Sequence, residues 1–274
     1  MGLATINGLA CLVHLICAVL FAVILKDKPI QLFQLKFLTN VPQQSDIDYP
    51  QTLVPSSYVY IKWLVVAFFA ITAIAHLLYA TDFFGAGYYT RAVVGFGWNP
   101  FRWLEYSITA GIMLYIISAV AGNKEETSAL VSALLAPGLM LQAYTSEREI
   151  QQNAVNLARV QGKPIPYTDP YIVWGNFAPS WILYGITWYL IFSAYTKLVK
   201  DVEESGEKLQ WQVSSLVISQ FILFTLFGVI HSIQVSLWAA KKITTSYLPY
   251  EYSYIALSFI AKVGLGISVA LLLN

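Results

Sequence analysis

Seven stretches of this chain are each long and apolar enough to cross a lipid bilayer, at roughly 3–25, 58–80, 98–121, 126–146, 171–195, 210–238 and 248–273. A crossing helix needs about twenty apolar residues, each adding 1.5 Å. In hydrocarbon every backbone N–H and C=O must find its partner inside the protein, so such stretches become helices. The expected fold class is therefore an all-α membrane protein. It is a single seven-transmembrane helix bundle over 1–274, an integral multi-pass protein bathed in membrane lipid. Only 11% of the residues are charged, whereas a soluble domain carries roughly a quarter. The net charge of +1 offers no footprint for nucleic acid. The first apolar run lacks a basic leader and a small-residue cleavage site, so it reads as a retained span. Cys11 and Cys17 sit six apart on that run, on different faces of one helix and too distant to bridge.

Between the spans lie polar or Pro/Gly-rich connections, with no internal repeat and no second domain. The longest runs over 26–57, where "PIQLFQLKF" has the character of one arm of a short hairpin at the membrane edge. The two sets of alternating loops carry seven and six basic residues, so charge bias does not orient the chain. Phosphate-binding loops, paired Cys–His metal sets and nucleophile elbows are absent from the sequence, so neither an enzyme nor a metal site is expected.

Seven alternating spans force the start of spans one, three and seven and the end of spans two and six onto one membrane face. His76 lies near the end of span two, Glu105 in the first turns of span three and His231 in the last third of span six. Ser258 falls on the same half of span seven, and His14 near mid-depth in span one. The intramembrane polar residues thus gather between the bilayer centre and one face.

Lys262 is the costliest of them. It sits mid-span in "YIALSFIAKVGLGISVALLL", where a lysine costs about 2.5–3.5 kcal/mol and is too central to snorkel. The amine must be neutralised, paired or hydrated. A neutral amine is a nucleophile that forms a Schiff base with an aldehyde; a charged one needs a carboxylate. Glu105 reads as the one acid firmly inside an apolar run, the others lying in loops or at span ends, so it is the natural counterion. Ser258 is one turn before Lys262, and Thr109 one turn after Glu105; both hydroxyls can join the pair. Arg102, three residues before Glu105, either pairs with it or snorkels. Three readings of Lys262 stay open at this level: a retinal-type Schiff base, the site of a retinal-free transporter, and a structural ion pair. His14, His76 and His231 read as interhelical donors or as members of a proton-transfer cavity.

Seven spans with a lysine in the last resemble the retinal-binding rhodopsins. Two motifs narrow the choice: "RWLEYSI" (Arg102 to Ile108) and "YIALSFIAK" (Tyr254 to Lys262). Microbial pumps usually carry an aspartate four before the retinal lysine, where this chain has Ser258, and a second acid farther along span three, where it has none. Together with the long first loop, His14 and His76, the motifs resemble heliorhodopsins over the whole chain. The resemblance implies all-trans retinal on Lys262, Glu105 as counterion, Ser258 beside the Schiff base, and His14 and His76 lining a polar cavity. It further implies a cytoplasmic amino terminus, an extracellular β-hairpin in the first loop, a homodimer, and a slow light sensor with room for a cytoplasmic signalling partner. Met113, Trp181, Phe224 and Phe227 are the expected walls of the retinal pocket. Three features depart from the family pattern. "TAG" (109–111) replaces a serine-rich run, Leu135 and Gln142 stand where an asparagine and a glutamate are common, and His231 is an added histidine that would extend a proton path from His14 and His76. The alternative activity is light-gated proton conduction with the same chromophore, distinguishable by light-evoked currents that reverse with the proton gradient.

Overall fold

The computed structural model describes residues 2–37, 51–83, 85, 87–95, 97–159, 170–239 and 247–274. Among these, seven helices are long and apolar enough to cross a membrane. They are α1 (Leu3–Ile24), α2 (Ile61–Ala80), α4 (Pro100–Val120), α5 (Glu126–Arg159), α6 (Pro170–Glu204), α7 (Trp211–Ala239) and α8 (Leu248–Leu273). A single turn, α3 (Tyr88–Thr90), runs into a π-helical turn at Arg91–Gly95 between α2 and α4.

Local chemistry sets several boundaries. The Asn99 side chain accepts the Arg102 N–H at 3.2 Å, and Pro100 follows it at the first helical turn of α4. This is an N-cap with a proline where no N–H is needed. The Glu125 carboxylate does the same for α5, accepting the N–H groups of Thr127 at 3.0 Å and Ser128 at 2.5 Å. Helices α5 and α6 run well past the spans 126–146 and 171–195 expected from hydropathy. Their extensions are polar but rich in Glu, Gln, Lys, Leu and Ala, which favour helix irrespective of lipid. After α6 the chain turns at Gly206, whose φ of +76° is open to glycine at little cost.

The first connection forms the expected hairpin. Strand β1 (Pro29–Phe37) pairs antiparallel with β2 (Gln51–Tyr60), with an irregularity between Gln31 and Phe33. The hairpin's own turn (38–50) lies outside the described residues. Residues 58–60, assigned to span two from hydropathy, belong to β2 instead, because Tyr60 pairs with Pro29 and Tyr58 with Gln31. The hairpin leans on the start of α5. Phe33 N–H donates to Lys124 O at 2.8 Å, Ser57 donates to Glu126 at 2.9 Å, and Ser56 reaches the same carboxylate.

Neighbouring helices in the bundle follow α1–α2–α4–α5–α6–α7–α8, and α8 returns to α1. Helix α4 is the innermost: 67% of its span is buried, against 39% or less for the others. Leu12, Val19, Ile74, Leu134 and Ile186 face outward, as expected where lipid is as good a solvent for them as the core. The inward stripe of α8 descends in steps of three and four through Glu251, Tyr254, Ser258, Lys262, Leu265 and Val269, all buried. That of α4 passes through Arg102, Glu105, Thr109 and Met113. Two polar-bearing stripes therefore meet along the bundle axis.

Candidate functional site

Where the stripes meet, Lys262 and Glu105 form an ion pair. Lys262 Nζ lies 2.7 Å from Glu105 Oε1, and the residues are 2% and 8% exposed. Nζ also donates to Thr72 Oγ1 at 2.6 Å and to Ser258 Oγ at 3.0 Å. Glu105 Oε1 accepts two further hydroxyls, from Thr72 at 2.6 Å and Thr109 at 3.0 Å. The ring of Tyr106 lies 5.3 Å from Nζ. Burying two charges costs several kcal/mol per ion unless their remaining valences are met by hydrogen bonds, and here three hydroxyls supply them. Thr72 was not singled out from the sequence. Its signal was available, because it lies one turn from His76 on the same face of α2.

His14 and His76 stack beside this pair, ring centroids 5.4 Å apart. His14 Nδ1 bonds Ala10 O at 2.7 Å, so Nδ1 carries the hydrogen and Nε2 is left as an acceptor without a protein partner. His76 Nδ1 bonds Asn7 Oδ1 at 2.7 Å. Asn7 donates in turn to Leu3 O and to the Tyr89 hydroxyl, which fixes its carbonyl oxygen toward His76.

His231 stands apart from these two, and among the described residues no hydrogen bond joins it to them. Nε2 is 2.7 Å from Ser146 Oγ and Nδ1 is 3.0 Å from the Tyr254 hydroxyl. Its ring packs against Phe177 and Trp103. The path expected from the sequence, with His231 continuing His14 and His76, therefore gives way to two separate histidine groups.

Arg102 neither pairs with Glu105 nor snorkels. Its guanidinium bridges Glu147, at 2.5 Å, and Glu251. Arg102 is 3% exposed, Glu147 0% and Glu251 1%. This corrects the expectation that Glu105 is the one deeply placed acid. Hydropathy puts Glu147 just past span four, in a loop, but the continuation of α5 carries it into the bundle. It puts Glu251 at a span end, but that residue is the first member of the inward stripe of α8. Glu147 also accepts Trp103 Nε1 at 2.7 Å and the Tyr247 hydroxyl at 2.9 Å, while Glu251 accepts the Tyr89 hydroxyl and Asn99 Nδ2, each at 2.9 Å.

From Lys262 a cavity, partly open to the surroundings, extends between α4, α5, α6 and α7. Met113, Trp181, Phe224 and Phe227 line it, with Tyr106 and Tyr184. His231 and Ser258 also reach its wall. A buried primary amine lining an aromatic-walled space fits a conjugated aldehyde such as retinal, with the amine as its attachment point. Gly228 holds one wall in place, since a Cβ there would stand 2.8 Å from the Trp181 ring. Gly228→Ala is expected to push the indole into the cavity and weaken retinal uptake or shift its absorption. Reconstitution with added retinal, read as the absorption spectrum, checks this.

The fold is that of the microbial-type rhodopsins. The crystal structure of the light-driven proton pump Coccomyxa subellipsoidea rhodopsin CsR superposes with a TM-score of 0.62 over 99% of this chain and 96% of that one, at 15% sequence identity. Within that class the sequence is more specific: the heliorhodopsin family model matches residues 3–270, and the chain belongs to the heliorhodopsin family. It is accordingly a retinal-binding, light-responsive rhodopsin. Among curated proteins none matches the sequence.

Proposed function

We propose that this protein is a light sensor that holds all-trans retinal on Lys262, with Glu105 as the counter-charge. When bound as a protonated Schiff base, retinal supplies light absorption and isomerisation. The chain's own residues do the rest. Glu105, held by Thr72 and Thr109, keeps the proton on the Lys262 nitrogen in the dark, because an opposite charge at close range favours the cation. Ser258 offers its oxygen to that N–H. Met113, Trp181, Phe224 and Phe227 exclude water and fix the orientation of the chromophore. On excitation the proton leaves the Lys262 nitrogen toward the Glu105–His76–His14 side, where His14 Nε2 is an open acceptor, and returns slowly.

The observation that carries this reading is the buried contact of 2.7 Å between Lys262 Nζ and Glu105 Oε1, with Lys262 lining the aromatic cavity. Glu105→Gln tests it. The negative charge stabilises the ground state, in which the positive charge sits at the nitrogen, so its removal is expected to move the visible band to longer wavelength while the nitrogen remains protonated. An unchanged spectrum at every pH would count against Glu105 as the counter-charge. The reading of a retinal-free transporter gives way to the family assignment. We further propose a cytoplasmic amino terminus, an extracellular hairpin and a homodimer, a reading that rests on the resemblance to the family alone.

A further inference from the structure

Three charged groups of the interior play no part in the retinal chemistry above: Arg102, Glu147 and Glu251. Two carboxylates face one guanidinium, and all three are at most 3% exposed. With both carboxylates ionised the cluster carries one uncompensated negative charge, which is costly away from water. Among the described residues no further basic side chain touches it, and His231 stands one contact away, against Trp103 and the Tyr254 hydroxyl. From α2 comes Tyr79, from α3 Tyr89, from α4 Asn99 and Trp103, from α7 Gln234, and from the start of α8 Tyr247 and Tyr254. Each is a neutral donor or aromatic, and Lys262 is already matched by Glu105. Two buried donors in this region, Arg102 Nε and the Tyr79 hydroxyl, have no acceptor among the described residues.

We propose that Glu147 and Glu251 share one exchangeable proton under Arg102, and that this cluster gives the proton up when the retinal site is excited. The transfer is a bare proton, from a carboxylic O–H of the pair to the aqueous phase, leaving two carboxylates. Two connections link the cluster to the site. Arg102 lies one helical turn before Glu105 on the inward stripe of α4, so the two charges share one helix face. His76, Asn7 and the Tyr89 hydroxyl also form a hydrogen-bonded line, at 2.7 and 3.2 Å, that ends on Glu251 at 2.9 Å. Its light-driven half rests on the retinal reading, whereas the shared proton in the dark does not.

Infrared pH-difference spectra of the full chain in lipid nanodiscs, recorded in the dark in H2O and D2O, test the proton itself. The parent is expected to show a buried carboxylic-acid C=O stretch that shifts on deuteration. Charge counting makes a sharper demand. Either Glu147→Gln or Glu251→Gln leaves one carboxylate for one guanidinium, so each variant alone should reduce the band to below roughly a tenth of its amplitude. Glu251→Asp, which keeps the carboxyl, should retain it and shows that loss is not misfolding. Light-minus-dark spectra should then show the band bleaching. The absence of the band from the parent, its survival in both glutamine variants, or its loss in only one of them would overturn the shared proton; a proton resting on His231 gives the first of these. A dark band that does not bleach in a protein with visible absorption would overturn the release. A parent without visible absorption would defeat the retinal reading and leave the dark band as it stands.

Discussion

Lys262→Ala is expected to abolish the visible absorption that the parent is expected to show when expressed with all-trans retinal. The effect is expected to be all-or-none because the amine is the proposed attachment point and, among the described residues, no other lysine lines the cavity. Alanine also removes the cation that balances Glu105, leaving a carboxylate 8% exposed with only hydroxyl partners. The variant is therefore expected to be less stable as well, and its spectrum is to be read on material that elutes as folded protein by gel filtration. A visible band of undiminished strength in Lys262→Ala would remove the covalent reading and return Lys262 to the role of a structural ion-pair residue.

The second large effect is expected at Arg102. Its guanidinium holds Glu147 and Glu251 and covers the rings of Trp103 and Tyr254, at 4.6 and 4.1 Å. Removing one partner of a buried charge cluster typically costs about 3–5 kcal/mol, because the groups left behind stay buried without compensation. Arg102→Gln should therefore lower the melting temperature sharply in detergent or nanodiscs. The same substitution made on a Glu147→Gln, Glu251→Gln background should cost much less, since no carboxylate is then stranded. The non-additivity of the cycle is the quantity to measure. Equal losses in the two backgrounds would mean that Arg102 acts through packing on the aromatic rings and not through charge.

These effects differ in how far they could be foreseen. Lys262 and Glu105 stand out in the sequence because each interrupts an otherwise apolar run, and a charge in hydrocarbon demands an explanation. Their neighbours Ser258 and Thr109 follow from helical spacing alone. Thr72 does not stand out, because a threonine costs little in a span and many do nothing. Arg102, Glu147 and Glu251 sit near span ends, where charged side chains normally reach water, so each by itself reads as interfacial.

The sequence by itself determined the number of membrane-spanning helices, where each of them starts to within a few residues, the hairpin arm in the first connection, and the two residues that cannot be buried without each other. The cause is local: hydropathy and helical periodicity act within one segment, and hydrocarbon leaves the backbone one way to satisfy its hydrogen bonds. Only the tertiary structure decided which polar residues share a neighbourhood. The polar end of α5 stays helical and enters the bundle, which brings Glu147 to Arg102. The inward stripe of α8 starts at Glu251, which completes that cluster. His231 falls on the cavity wall and not beside His14. Each of these depends on the rotation and axial offset of one helix against another, quantities set by packing across the whole bundle and carried by no single segment.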